Sequence, residues 1–390
     1  MMSRILAAVF LGLLGLSVQA QAVPKIAAYY DGGMPIAQIP AARINDLIYA
    51  FGEPNDGGSC ASPTAAQAGT FAALRKLRGR HPSLKLIVSI GGWDAAPQYS
   101  DIALTEQTRR RFVASCIQAF VRAQGFDGID IDWEFPVQGG MNRSRPQDRA
   151  DATALVREFR RQLDALGGRT HHHYLLTVAT PAGTWQQGGA YSVSDSYDLA
   201  ALARSVDWLN VMTYDMNNIF SPVSGFNTPL GADPRDPEPE PQRSRDNLAS
   251  AVRYYESHGV PRGKIMLGIA FYGRGFTGVS PHNGGLYSKY TGGFAETPWK
   301  SIESQFLTSP DWVRHWSVTA RAPWLYNASQ HIFFTYDDPI SLGIKAEFAR
   351  RARLRGVMIW VLGEDDPGNC LLNALVSRLV PQGSPQHARH

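Results

Sequence analysis

The chain has 390 residues, 44% hydrophobic and 18% charged, which excludes a wholly disordered protein, and no apolar run reaches the ~20 residues of a membrane-spanning helix. The formal net charge is +4, with Lys and Arg spread along the chain in short clusters such as Arg109-Arg110-Arg111. That distribution argues against a nucleic-acid footprint. Nine tryptophans supply candidate platforms for apolar sugar faces, although any single Trp is as readily a core residue.

Taken in chain order, residues 1–22 read as a secretory signal. Arg4 provides the positive start, Ile5 to Leu16 the apolar stretch, and Ala20-Gln21-Ala22 an A-x-A cleavage site. Export is therefore expected. Short apolar runs follow at Ile26–Tyr30, Leu47–Phe51, Leu84–Ile90, Gly128–Trp133, Tyr174–Ala179, Trp208–Thr213, Ile265–Phe271 and Val357–Trp360. Helical patterns lie between most of them, at Ala65–Arg78, Glu106–Gln124, Asp148–Leu166 and Arg245–His258. Eight strands alternating with helices predict an α/β protein, a closed (β/α)8 TIM barrel.

Two stretches break the alternation. Residues 216–243, rich in Pro and acidic residues, are expected to be an exposed loop. The segment between Tyr272 and Tyr336 is too long for a simple connection and carries clustered aromatics, so a small α+β insertion subdomain is expected between strands 7 and 8. The expected organisation is a signal peptide at 1–22, barrel strands 1–7 within 23–275, the insertion at 276–331, the rest of the barrel at 332–380 and a polar tail at 381–390.

Three cysteines, Cys60, Cys116 and Cys370, allow at most one intramolecular pair. Cys116 falls in a helical pattern and is expected to act as a small buried hydrophobe. His171-His172-His173 could suggest a metal, but three adjacent residues cannot all face one ion, and a solvated turn is expected instead. No Cys/His spacing suggests zinc.

The sharpest chemical signal is Asp127-Gly128-Ile129-Asp130-Ile131-Asp132-Trp133-Glu134. Side chains alternate along a strand, so Asp130, Asp132 and Glu134 share one face and Ile129, Ile131 and Trp133 the other. Three carboxylates on the inner face of a barrel repel one another, so protons must be shared and at least one pKa must rise. A general acid working near neutrality needs that shift. Flanking apolar residues disfavour a solvated acidic edge, and the spacing lacks the ligand pattern of a calcium loop.

This run resembles the D-x-x-D-x-D-x-E signature of family 18 glycoside hydrolases, the chitinases. Ser89-Ile90-Gly91-Gly92-Trp93 is similar to that family's S-x-G-G motif, and Met212-Thr213-Tyr214-Asp215 to its M-x-Y-D. Tyr272-Gly273-Arg274, Met358-Ile359-Trp360 and Tyr336-Asp337-Asp338 continue the match in order, and the late Asp365-Asp366 fits too. The resemblance implies a retaining hydrolase of β-1,4-linked N-acetylglucosamine in chitin or chito-oligosaccharides, with no cofactor, no metal, no nucleic-acid or membrane partner, and a monomeric chain. It assigns Glu134 as general acid and base. Asp132 would hold the substrate acetamide as its oxygen attacks the anomeric carbon, Asp130 would share a proton with Asp132, and Tyr214 would hydrogen-bond the acetamide oxygen. Trp360 would floor the subsite, and Trp93 would offer a platform on the leaving-group side. Met212, Asp215, Tyr272, Arg274, Phe51, Gly92 and Met358 fall at sugar-contacting positions, while Ser89 and Tyr29 are expected to hydrogen-bond Asp130.

Asp127 has the opposite strand parity to Asp132 and is expected to be structural. One departure concerns the strand-1 region, where many relatives carry a Trp and this chain has Asp31-Gly32-Gly33. That puts strong binding of long chains in question. The rival functions are a hydrolase of the same mechanism acting on N-glycan cores or peptidoglycan, and a non-catalytic lectin.

Overall fold

The alternation of apolar runs and helices closes on itself. In the computed structural model, which describes residues 23–94, 98–138, 143–184 and 192–380, eight parallel strands form a closed barrel. Seven come first: β1 (Lys25–Tyr30), β2 (Asp46–Gly52), β3 (Lys85–Gly91), β4 (Gly128–Asp132), β5 (Leu175–Pro181), β6 (Trp208–Met212) and β7 (Ile265–Ala270). Five strands of an inserted sheet follow: β8 (Tyr272–Thr277), β9 (Gly292–Pro298), β10 (Trp312–Ser317), β11 (Ala322–Asn327) and β12 (Ile332–Thr335). The closing strand, β13 (Gly356–Trp360), pairs with β1 on one side and β7 on the other. The signal segment 1–22 and the tail 381–390 lie outside the described residues.

Strand parity sorts the side chains as the alternation requires. Ile129, Ile131 and Trp133 point outward into the large core between strands and helices, and Asp130 and Asp132 are buried on the other face. Tyr29, Ile48, Ile87, Trp208, Met266 and Met358 fill the barrel interior. The helices are capped by their own sequences. Thr64 forms a capping box with Gln67 ahead of Ala65–Arg80, and Asp338 caps Pro339–Arg351.

Three expectations change. The helix over 106–124 is α-helical only to Cys116 and continues as a π-type turn over Ile117–Arg122. Cys116 is buried, but it is not a lone hydrophobe, because it is disulfide-bonded to Cys60 and leaves Cys370 as the free thiol. The connection 216–243 is irregular but not exposed throughout. Residues 224–229 are buried, and Phe226 joins the insertion's core with Phe276, Trp324 and Phe333.

The inserted antiparallel sheet runs in the order β10-β11-β12-β8-β9 and spans Tyr272 to Thr335, slightly wider than the segment 276–331. The three adjacent histidines find separate environments. His171 ends a helix in the left-handed region (φ 53), His173 Nε2 lies 2.7 Å from Asp207 Oδ1, and His172 faces Asp127 at 3.7 Å.

Candidate active site

The C-terminal ends of the barrel strands open into a cleft of about 730 Å³. Its lining includes Tyr29, Phe51, Gly92, Trp93, Asp132, Glu134, Met212, Tyr214, Asp215, Arg274 and Trp360. Local structure explains several of these placements. The β2–β3 register slips between Ala50 and Gly52, a bulge that re-aims Phe51, and the Phe51 ring stacks on Trp360 with centroids 5.9 Å apart. Gly91 sits at φ 117 with the Asp132 carbonyl oxygen only 2.1 Å from where a Cβ would lie. Gly91→Ala is therefore expected to lower stability by about 3 kcal/mol or more, a loss that urea unfolding would register.

Beneath the cleft, Asp130 is fully buried and accepts four hydrogen bonds. Tyr29 OH and Ser89 Oγ donate to Oδ2, each at 2.7 Å, and Thr177 Oγ1 and Asn210 Nδ2 donate to Oδ1 at 2.5 and 3.1 Å. These bonds use the acceptor capacity of one carboxylate. Burial pushes the Asp130 carboxyl up, and the four donors pull it back toward ionisation.

Asp132 is in the opposite situation. Its Oδ1 is buried without a hydrogen-bond partner, and burial together with the neighbouring Glu134 and Asp130 holds its pKa well above the carboxylate range. A proton shared in this pair therefore rests on Asp132. Glu134 follows just beyond the strand, where burial, then the charges of Asp215, Glu296 and Asp94, push its carboxyl up to about 8. The result is a protonated carboxylic acid facing a cleft at neutral pH.

Asp215 links barrel and insertion. Its carboxylate accepts from Tyr272 OH at 2.8 Å and from Arg274 Nε and Nη2 at 2.5 and 2.7 Å. Arg274 also approaches Glu296 of β9 at 3.5 Å. Ser89 makes the expected bond to Asp130, while Tyr272 and Met358, at expected sugar-contacting positions, are not among the residues that line the cleft. All three are buried and lie below the cleft lining. Ser89 holds Asp130, Tyr272 holds Asp215, and the Met358 sulfur lies 4.0 Å from Tyr214 OH. Asp127 stands apart from the cleft, with its Oδ2 accepting from Arg78 Nη1 at 2.8 Å and from the Leu86 N–H at 2.9 Å.

Several site residues escaped sequence reasoning. Thr177 and Asn210 were accessible through strand parity, since Thr177 sits directly opposite Asp130 in the β4–β5 ladder. Glu296, Glu238, Ile219 and Phe220 also line the cleft, but they come from the insertion and the long 216–243 connection, where no periodicity marks them, and Asp246 joins them from the start of the 245–258 helical stretch. Ile219 and Phe220 are about half exposed. They sit on a turn in which Asn218 Oδ1 accepts the Phe220 N–H, braced by Tyr290 OH donating to the Ile219 and Ser221 carbonyls.

Comparison with known proteins agrees with this geometry. The sequence profile described as Glycosyl hydrolases family 18 matches residues 25–365. The chain is 37% identical to Chitinase A1 of Niallia circulans over 327 residues, covering 81% of this chain and 46% of that protein. It thus spans about half the length of that relative. Chitinase B of Serratia marcescens is 28% identical, with 87% and 78% covered. Among solved structures, a family 18 N-acetylglucosaminidase from Paenibacillus barengoltzii superposes with a TM-score of 0.81 at 29% identity, covering 91% of this chain and 99% of that one. The Group IV chitinase of Ostrinia furnacalis gives 0.82 at 27% identity, with 92% and 100% covered.

Proposed function

The chain belongs to family 18 of the glycosyl hydrolases, and from that membership we propose that it cleaves β-1,4-linked N-acetylglucosamine in chitin or its oligomers, with the substrate's own acetamide as nucleophile. The observation that carries this reading is that one cleft is lined by Glu134, its carboxyl pushed up by burial and neighbouring acids, and by Asp132, whose Oδ1 is buried without a hydrogen-bond partner. In the first step the acetamide oxygen forms a bond to the anomeric carbon. The glycosidic C–O bond breaks, and Glu134 gives its proton to the leaving oxygen. As positive charge develops on the oxazolinium ion, the proton that Asp132 shares passes to Asp130, whose hydroxyl partners can turn to accept it, and the Asp132 carboxylate so freed accepts from the acetamide N–H and offsets that charge, while Tyr214 OH donates to the attacking oxygen. The proton returns to Asp132 as water adds and the charge is lost. Water then adds to the anomeric carbon, returns its proton to Glu134 and yields the β product. This family is a known exception to the two-carboxylate scheme.

Trp360 would floor the bound sugar, with Trp93 and Phe220 as aromatic faces along the cleft. Residues 31–33 are exposed and carry no aromatic platform, which favours short oligomers over long chains. Export is part of the proposal and rests on residues 1–22. The Cys60–Cys116 disulfide suits an oxidising compartment. Among the described residues no helix is long and apolar enough to cross a membrane.

The test is NMR of fresh products from the fully N-acetylated hexamer, beside the fully deacetylated hexamer. Initial β-anomer and an inert deacetylated substrate are expected. Initial α-anomer, or brisk cleavage of the deacetylated chain, would mean that water or a protein carboxylate attacks directly. Binding of the hexamer without cleavage would identify a lectin.

A further inference from the structure

The motif Tyr336-Asp337-Asp338 has no part in the chemistry above, yet its Asp337 is one half of a fully buried ion pair. Lys345, with no exposed surface, places Nζ 2.5 and 2.6 Å from the two carboxylate oxygens of Asp337. The third donor of the ammonium goes to Thr228 Oγ1 at 2.7 Å, and that hydroxyl donates in turn to Asp337 Oδ2 at 2.6 Å. Ser341 Oγ adds another donor to Asp337 Oδ1 at 2.6 Å. A buried ion pair is weak evidence of stabilisation, because desolvation offsets its attraction, but it can specify one conformation. What this pair grips is the buried centre of the 216–243 connection.

The next residue carries that grip to the cleft. Asn227 Oδ1 accepts the Asp215 N–H at 2.7 Å, and the Asn227 carbonyl accepts the Met216 N–H at 3.0 Å. The Asn227 N–H donates to Thr335 Oγ1 at 3.0 Å. Thr335 stands opposite Arg274 in the β8–β12 ladder, and Arg274 holds the Asp215 carboxylate. Asp215 itself lies in the left-handed region at φ 58, an uncommon conformation for a residue with a side chain, which its surroundings must impose. We infer that Thr228 and Asn227, anchored by the Lys345–Asp337 pair, are positioning residues that set the conformation of Asp215 and so the aim of the adjoining Tyr214. The inference rests on the hydrolase reading of the cleft.

The test compares Thr228→Val, which removes the hydroxyl at constant shape, with Thr228→Ser, which keeps it. On N-acetylglucosamine oligomers at a temperature where both are folded, Thr228→Val should lower kcat about tenfold to a hundredfold, as small misplacements do. KM should stay within about twofold, and Thr228→Ser should restore kcat. The crystal structure of Thr228→Val should show Asp215 out of its left-handed conformation or parted from Arg274.

Unchanged kcat in Thr228→Val, a lowered Tm as its only effect, or a Thr228→Ser variant equally impaired would overturn the inference. Should Thr228→Val fail to fold, Asn227→Ala, which deletes the acceptor for the Asp215 N–H, is read by the same criteria. A wild-type chain inactive on every oligomer would instead sink the hydrolase reading. The positioning of Asp215 by Thr228 and Asn227 would then still be judged by the position of Asp215 in the variant crystal.

Discussion

Glu134→Gln is expected to lower kcat by several orders of magnitude while leaving oligomer binding nearly intact. General-acid assistance is worth about 10²–10⁴-fold, and in the proposed mechanism the same side chain also takes the proton from water in the second step, so its loss would impair both. Wild-type activity should fall as pH rises through about 8, where the raised Glu134 carboxyl ionises. The same shift bears on stability with a definite sign. A carboxyl whose folded pKa lies above its unfolded value favours folding fully only below the unfolded value, and that contribution is lost as pH rises through the folded one. Replacing it by neutral Gln removes this dependence. Glu134→Gln should therefore melt above the wild type at pH 8, and the gap should close as pH falls below about 4.5, the ordinary glutamate value. Near-wild-type turnover by the folded variant, read from reducing-end release, would rule out Glu134 as the acid.

Asp132→Asn carries the second large effect. The amide is nearly isosteric and keeps one acceptor oxygen, so the acetamide can still be held. It cannot supply the negative charge that, in the proposed mechanism, offsets the oxazolinium ion. Removing one preorganised electrostatic partner of a developing charge commonly costs about 10²–10³ in kcat, and the buried setting of Asp132 leaves no solvent to substitute for it. A thiazoline mimic of the bicyclic ion should lose more affinity for Asp132→Asn than a plain oligomer does, because only the mimic carries the charge-bearing shape. Equal losses for the two ligands, measured by calorimetry, would place Asp132 in ground-state binding alone.

The barrel was legible because its strands are short apolar runs at regular spacing, and the carboxylate face because strand parity leaves no freedom. Asp130 and Asp132 could point only one way once Ile129, Ile131 and Trp133 needed the core. The cysteine pairing was not legible, since three thiols admit three pairs and only the fold brings Cys60 to Cys116. The 216–243 connection misled because Pro and acidic residues signal solvent. Its buried centre is instead satisfied by side chains such as Asn227 and Thr228, which bond the backbone and a buried ion pair. Glu296 and Phe220 were invisible for a related reason. They stand on segments without periodicity, and only the closure of the cleft gives them a role.

The inserted sheet reaches the cleft unequally, and that decides how the molecule could be cut and recombined. Strands β8 and β9 cannot be exchanged as a block, because Tyr272 and Arg274 of β8 grip Asp215 and Glu296 of β9 lines the cleft beside Glu134. The outer hairpin of β10 and β11 provides none of the residues that line the cleft. A graft meant to change chain-length preference without disturbing the chemistry therefore has its seam beyond Trp299, whose ring stacks on Tyr336 at 6.2 Å, and not at the edge of the barrel. Transplants cut at Ala270 would carry half of the Asp215 clamp away with the insert, and donor and recipient would both lose it.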